Sequence, residues 1–169
     1  MTDQLLAGLR PAADFVELGV IAGLARHASP KAPMEVIERA EITPELGIAG
    51  DHRGRRKPGG LGKRQVTLIE RDDWAAACAQ VGVDLPWWHR RCNIALDGFD
   101  LPQVPGMLLR LGQDVVLEVT RFTDPCERME VLAPGLFDAL LVDWRAGVCS
   151  RVVHGGTITV GDVIRVERV

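Results

Sequence analysis

Cys126 stands in the segment Thr123-Asp124-Pro125-Cys126-Glu127-Arg128, where an apolar run gives way to a helical pattern. Asp124 suits an N-cap, Pro125 the first helical position and Glu127 the acidic place of a capping box. That spacing predicts Cys126 in the first helical turn. Free backbone N–H groups and the positive end of the helix dipole favour a thiolate there, with Arg121 or Arg128 able to assist. A thiolate coordinates metal, carries a persulfide or attacks a substrate. The bland alternative is a small residue turning a strand–helix corner, but the local electrostatics favour chemistry.

The other cysteines read differently. Cys78 lies among alanines on a helix, and Cys92 alternates with Ile94 and Leu96 on what should be the apolar face of a strand. Both read as core filler. Cys149 sits on a predicted strand without a clean division of faces, which leaves its role open between core and chemistry, with the core favoured. No C-x-x-C pair and no histidine at zinc spacing accompanies the four, which argues against a structural zinc site.

Two further groups could serve a ligand. The stretch Gly50-Asp51-His52-Arg53-Gly54-Arg55-Arg56-Lys57, continuing to Lys63 and Arg64, has no acidic residue after Asp51. Glycines that let the backbone approach closely, with guanidinium forks, suit a phosphate or oxyanion, and a solvated basic loop is the equal alternative. In Arg91-Cys92-Asn93-Ile94, Arg91 and Asn93 share one strand face if Cys92 and Ile94 turn inward. The histidines at 27, 52, 89 and 154 show no triad spacing, and only His52 falls in a suspected loop. Trp87-Trp88-His89-Arg90-Arg91 adds aromatics beside arginine, which fits an edge of the core or a small-molecule pocket better than nucleic acid.

Short elements must position these residues. A buried strand is predicted over Phe15 to Leu24. A half-buried one runs from Met34 to Ile42, with Met34, Val36, Ala40 and Ile42 on one face. The glycine-rich stretch 47–63 reads as a long loop of the kind that carries function. A strand at Gln65–Ile69 leads into a helix capped by Asp72 or Asp73 and ending near Gly82. Strands follow at about 91–96, 107–111 and 115–122, then a helical region over 127–143, then strands at 147–153, 157–160 and 163–168. There is no internal repeat. Evenly spaced short strands indicate a mainly β, α+β chain folded as a barrel or sandwich.

Composition bounds the rest. At 169 residues and 47% apolar content the chain makes one domain, residues 18–169, behind a polar lead-in at 1–17. A net charge of −3 gives no global reason to expect nucleic acid or an acidic membrane. No stretch approaches the ~18 apolar residues of a membrane span, so a cytoplasmic protein with free thiols is expected.

Taken in order, these motifs resemble the MOSC domain, named for the C-terminal domain of molybdenum cofactor sulfurases. The matching residues are Gly50-Asp51 before the basic loop, Arg64-Gln65-Val66 opening a strand, Arg91-Cys92-Asn93-Ile94, Asp100-Leu101, Gly112 before a long strand, Pro125-Cys126, and Gly155-Gly156 followed by Gly161-Asp162. The resemblance implies a MOSC-type β-barrel with a few short helices and Cys126 as molybdenum ligand or sulfur carrier. It also implies that Asp51, His52, Arg53, Arg55, Arg64, Arg91 and Asn93 border the molybdopterin cofactor. Full-length sulfurases add a pyridoxal-phosphate domain that 169 residues cannot hold, and none of Lys31, Lys57 and Lys63 has a Schiff-base context, so no pyridoxal phosphate is expected.

Three functions compete. The first is a molybdenum-dependent reductase of N-hydroxylated compounds, served by a redox partner protein. The second is a sulfur relay or cofactor carrier, in which Cys126 holds a persulfide received from a sulfur-donor protein. The third is a non-catalytic module that binds anions or nucleic acid.

Overall fold

The computed structural model describes residues 18–167; the predicted lead-in and Phe15 lie outside them. Eleven strands and three short helices follow one another along this span. The strands are β1 (Leu18–Arg26), β2 (Glu35–Ile37), β3 (Arg39–Thr43), β4 (Gly47–Ile48), β5 (Val66–Glu70), β6 (Ile94–Asp97), β7 (Leu108–Leu111), β8 (Val115–Phe122), β9 (Val148–His154), β10 (Gly156–Thr159) and β11 (Val163–Glu167). The helices are α1 (Arg71–Gln80), α2 (Glu127–Leu132) and α3 (Leu136–Leu141).

Seven strands close a barrel in the order β1-β11-β7-β8-β9-β5-β6 and back to β1, with β2 added along the far end of β1. A small sheet of β10, β3 and β4 stands beside it. All neighbours in the ring are antiparallel except β5 and β6. Two parallel strands cannot be joined by a hairpin; here α1 and a 3₁₀ turn at Trp87–Arg90 make the crossover.

Alternation along the strands decides what fills the ring. Leu109 and Leu111, then Val115, Leu117 and Val119, then Val148 and Val152, turn inward with Ile21, Leu68, Ile94, Leu96 and Ile164, all buried. Seven strands enclose only enough room for side chains. The barrel is therefore a packed core, and any ligand must bind on its outside. On the outer wall β5 and β6 carry Ile69 and Ala95, which meet Trp74, Ala77 and Cys78 of α1 and Met129, Leu136 and Leu140 of the later helices. Apolar on both faces, these strands read as continuous hydrophobic runs.

Several expectations need correction. The run from Met34 to Ile42 is not one strand: the chain changes sheets at Glu38, so Val36 is exposed while Ala40 and Ile42 are buried. The helical region expected over 127–143 is present as separate helices, divided at Ala133-Pro134-Gly135, where Gly135 takes a left-handed φ of 86°. Helix α1 begins at Arg71 with Glu70 in the cap position, and Asp72 and Asp73 sit in its first turn. The side chain of Glu70 does not cap, because one oxygen accepts the Leu101 N–H at 3.3 Å.

That carboxyl gives a testable pH dependence. Burial, the neighbouring charge and hydrogen bond of Asp73, and then Asp100 push Glu70 from 4.5 up to about 8, against the Leu101 N–H. The folded state thus keeps a proton that the unfolded chain loses, and stability should decline as pH rises through the window between those two values. Glu70→Gln is expected to flatten that decline and to raise the melting temperature at the alkaline end. Thermal unfolding from about pH 5 to about pH 9 checks it; parallel curves for the two proteins would refute the assignment.

Candidate functional site

A cleft of about 250 Å³ opens on the outer wall where the ends of β1, β5 and β6 meet the segment before α2. Its floor is built from backbone and amide groups. The Asn93 side-chain oxygen accepts from the N–H and hydroxyl of Thr67 at 3.0 and 3.1 Å. Its NH₂ donates to Ala25 O at 3.2 Å and to Asp51 Oδ1 at 3.3 Å. Asn93 thereby ties β1, β5 and the basic loop together, and its buried amide is committed to the protein. It lines the cleft as a positioning residue.

Asp51 is held from three sides. Oδ1 also accepts the His27 N–H at 3.1 Å, and Oδ2 accepts the Arg53 N–H at 3.3 Å. Gly50 before it takes a φ of 83°, a left-handed turn that glycine adopts without strain. Gly54 passes so close to Leu46 that a Cβ there would lie 2.2 Å from its carbonyl oxygen. Gln65 pins the loop by donating to Pro44 O and Gly54 O while accepting from Val152 N.

The approach to Cys126 differs from the sequence-based expectation. Cys126 is itself the N-cap residue, extended at φ −117° and ψ 170°, and the six-residue α2 begins at Glu127. The reason lies far away in sequence. Buried Arg90 sends its Nη2 to the carbonyls of Thr123 and Asp124 and its Nε to Ala146 O, holding 123–124 extended. Asp124, free of capping, pairs with Arg121 at 3.3 Å. The residue before a proline also resists helical geometry. Cys126 is the exposed cysteine of the four; Cys78, Cys92 and Cys149 are buried.

Of the residues expected to border a cofactor, Asp51, Arg53, Arg64, Arg91, Asn93 and Cys126 line this cleft. His52 and Arg55 do not: both side chains are exposed on the loop outside it. In place of His52 the cleft holds His27, buried at the end of β1, and Arg128 and Arg90 join the wall. The His27 Nδ1–H donates to the Ser29 carbonyl at 2.8 Å, an acceptor only, which leaves Nε2 as the other ring nitrogen. The sequence signal for His27 was its place directly after an apolar strand; its link to Asp51 spans 24 positions and has no local pattern.

Cys92 needs a correction too. Strand β6 starts at Ile94, and Cys92 packs with the helix-side cluster while Ile94 and Leu96 enter the barrel. Arg91, which closes the 3₁₀ turn in a left-handed conformation with φ 66°, sets that offset. Burial pushes the Cys78 and Cys92 thiols up, so both stay neutral near pH 7. Cys149 lies behind the cleft with its sulfur 3.4 Å from Thr123 Oγ1.

Charge is the site's clearest property. Among the described residues, none of Arg53, Arg64, Arg91 and Arg128 is ion-paired. Burial, then Arg128 and Arg53, hold Arg91 below its ordinary value, against the opposing pull of Cys126 and Asp51. Arg64 Nε is buried with no hydrogen-bond partner among the described residues. Five arginines converge there against two carboxylates, Asp51 engaged by hydrogen bonds within the protein and Asp124 paired with Arg121, and that excess of cations favours an anion between them.

Comparison with known proteins agrees with this fold. The MOSC domain family matches residues 26–165. The YuaD protein of Bacillus subtilis superposes with a TM-score of 0.72 at 20% identity, covering 90% of this chain and 97% of that one. YiiM from Geobacillus stearothermophilus gives 0.69 at 15% identity, over 89% of this chain and 75% of its own. YiiM from Escherichia coli gives 0.62 at 15% identity, over 89% and 71%. No curated protein matches the sequence. With its closed seven-stranded barrel and a family match that runs from the end of β1 into β11, the chain belongs to the MOSC domain family.

Proposed function

We propose that the chain binds the molybdenum cofactor and presents Cys126 to it as the protein's sulfur ligand, supporting reduction of N-hydroxylated compounds. The observation that carries this reading is one exposed thiol at the rim of a cleft where Arg53, Arg64, Arg91 and Arg128 have no acidic partner among the described residues. Among the described residues no three His, Cys, Asp or Glu side chains gather to hold a metal. The donor set therefore fits a group that brings most of its own metal ligands together with an anionic tail, and the unpartnered Arg64 Nε fits an oxygen of that tail.

The molybdenum group, when bound, supplies two-electron oxygen-atom chemistry. The chain's residues do the rest. Arg53, Arg64, Arg91 and Arg128 hold the anion, Asn93 fixes Asp51 and the loop, and Arg90 sets the backbone that carries Cys126. His27, with Nδ1–H engaged, offers Nε2 to hold or give up a proton. A sulfur relay with a persulfide on Cys126 is the second reading, favoured by the exposure of the sulfur and its cationic surroundings. Either function fits a reducing, cytoplasmic setting with a redox or sulfur-donor protein as partner.

Metal and sulfur analysis of the chain made in a cofactor-producing host tests both. The expected result is molybdenum bound near one per chain. Cyanide-labile sulfane sulfur without molybdenum would select the relay, and neither would leave anion binding alone.

A further inference from the structure

A second pocket, of about 260 Å³, adjoins the first and shares Arg91 and Arg128 with it. Pro33, Met34, Trp88 and Leu132 supply its apolar walls. Its platform is built by the neighbours of Trp88. Trp87 is buried on β1, where a Cβ on Gly23 would come within 2.6 Å of its ring, and Arg90 is buried among carbonyls on the other side of the turn. With both flanks anchored, the 3₁₀ turn holds Trp88 outward and edge-on to Trp87 at 6.0 Å and 87°. Arg128, at the junction of the two pockets, makes no hydrogen bond or ion pair among the described residues.

We propose that this pocket seats the body of the substrate, a planar aromatic ring that lies against Trp88 and carries, apart from any reacting N-hydroxyl group, a negatively charged oxygen substituent directed at Arg128. Ring faces and edges attract an indole beyond their buried area, and a guanidinium without an acid partner selects an oxyanion. That the ring belongs to the substrate rests on the role proposed for Cys126; the seat of the ring does not.

The test uses the full chain as purified, with 2-naphthoate, its saturated decahydro counterpart and neutral 2-naphthalenemethanol as probes, followed by NMR of the indole N–H signals. The Trp88 signal is the one missing from Trp88→Leu. Naphthoate is expected to shift it and to bind roughly fivefold more tightly than the saturated acid. Trp88→Leu should erase that preference and Trp88→Phe retain it. Arg128→Gln should weaken naphthoate about tenfold, the scale of one charge-assisted hydrogen bond, and leave the neutral alcohol unchanged. Equal binding of the flat and saturated acids, a preference that survives Trp88→Leu, or equal losses for acid and alcohol in Arg128→Gln would overturn the proposal. Each readout is binding, so it stands or falls independently of whether molybdenum is found.

Discussion

Cys126→Ser is expected to strip the protein of bound molybdenum, or of sulfane sulfur in the relay reading, while leaving the fold intact. Changing a residue that merely orients a metal ligand costs about 10–100-fold in affinity, so removing the ligand should cost at least about tenfold. The fold should scarcely respond. The side chain is exposed, no side-chain hydrogen bond caps α2, and the backbone before it is fixed by Arg90. A surface substitution of this kind stays within about 0.5 kcal/mol, a shift of about 2 °C or less. Elemental analysis and a melting curve on the same preparation separate the two effects. Loss of metal together with a collapse in stability would show that Cys126 serves the fold.

Arg91→Asn combined with Arg128→Ala should show effects of opposite sign on binding and on stability. Each charge-assisted hydrogen bond to an anion contributes about 1.5–3 kcal/mol, so two lost bonds amount to roughly a hundredfold or more in affinity. Yet the two guanidinium groups repel one another across the ligand-free cleft, with Arg128 and Arg53 both acting on Arg91. The variant without ligand should therefore melt no lower than the wild type. Asparagine is chosen because position 91 has a φ of 66°, which asparagine tolerates better than most residues. Arg55→Ala with Arg56→Ala, outside the cleft, should change retention by less than about twofold, since exposed charges act weakly through water. Pterin retention, with inorganic phosphate as competitor, gives the measurement. Equal losses from both pairs would mean that the arginines act through general charge and not through a built site.

The barrel was legible because its strands alternate. Residues 107–111, 115–122 and 163–168 were expected as strands and fold as strands within a residue or two at either end, since one face of each fills the ring and the other meets solvent. Alternation misled between Met34 and Ile42, where its period persists through Glu38 although the chain leaves one sheet for another. No local pattern records a change of sheet.

The site was legible where chemistry is local. Asp51, Arg53, Arg64, Arg91, Asn93 and Cys126 could be named from motifs that the fold brings to one cleft. It was not legible where contacts are long-range. Capping rules placed the start of α2 too early because they cannot see Arg90 taking carbonyls 33 and 34 positions away. His52 was preferred to His27 because it sits among arginines, although the chain buries the histidine that β1 delivers. Cys92 is buried as expected, but it was placed on one face with Ile94 and Leu96 because Arg91 was read as strand, and a left-handed residue at that point resets the alternation.

Mapping which cysteine reacts first bears most directly on whether Cys126 is the functional thiol. The ligand-free full chain is treated with limiting iodoacetamide near neutral pH, and the modified peptides are followed by mass spectrometry over time. Cys78, Cys92 and Cys149 are buried, and burial holds the first two as neutral thiols, so they should react only through opening of the fold. Cys126 should be alkylated first and by a wide margin, and be protected once molybdenum is bound. A Cys126 that reacts last, or as fast with metal as without, would contradict its assignment as the sulfur that this protein presents.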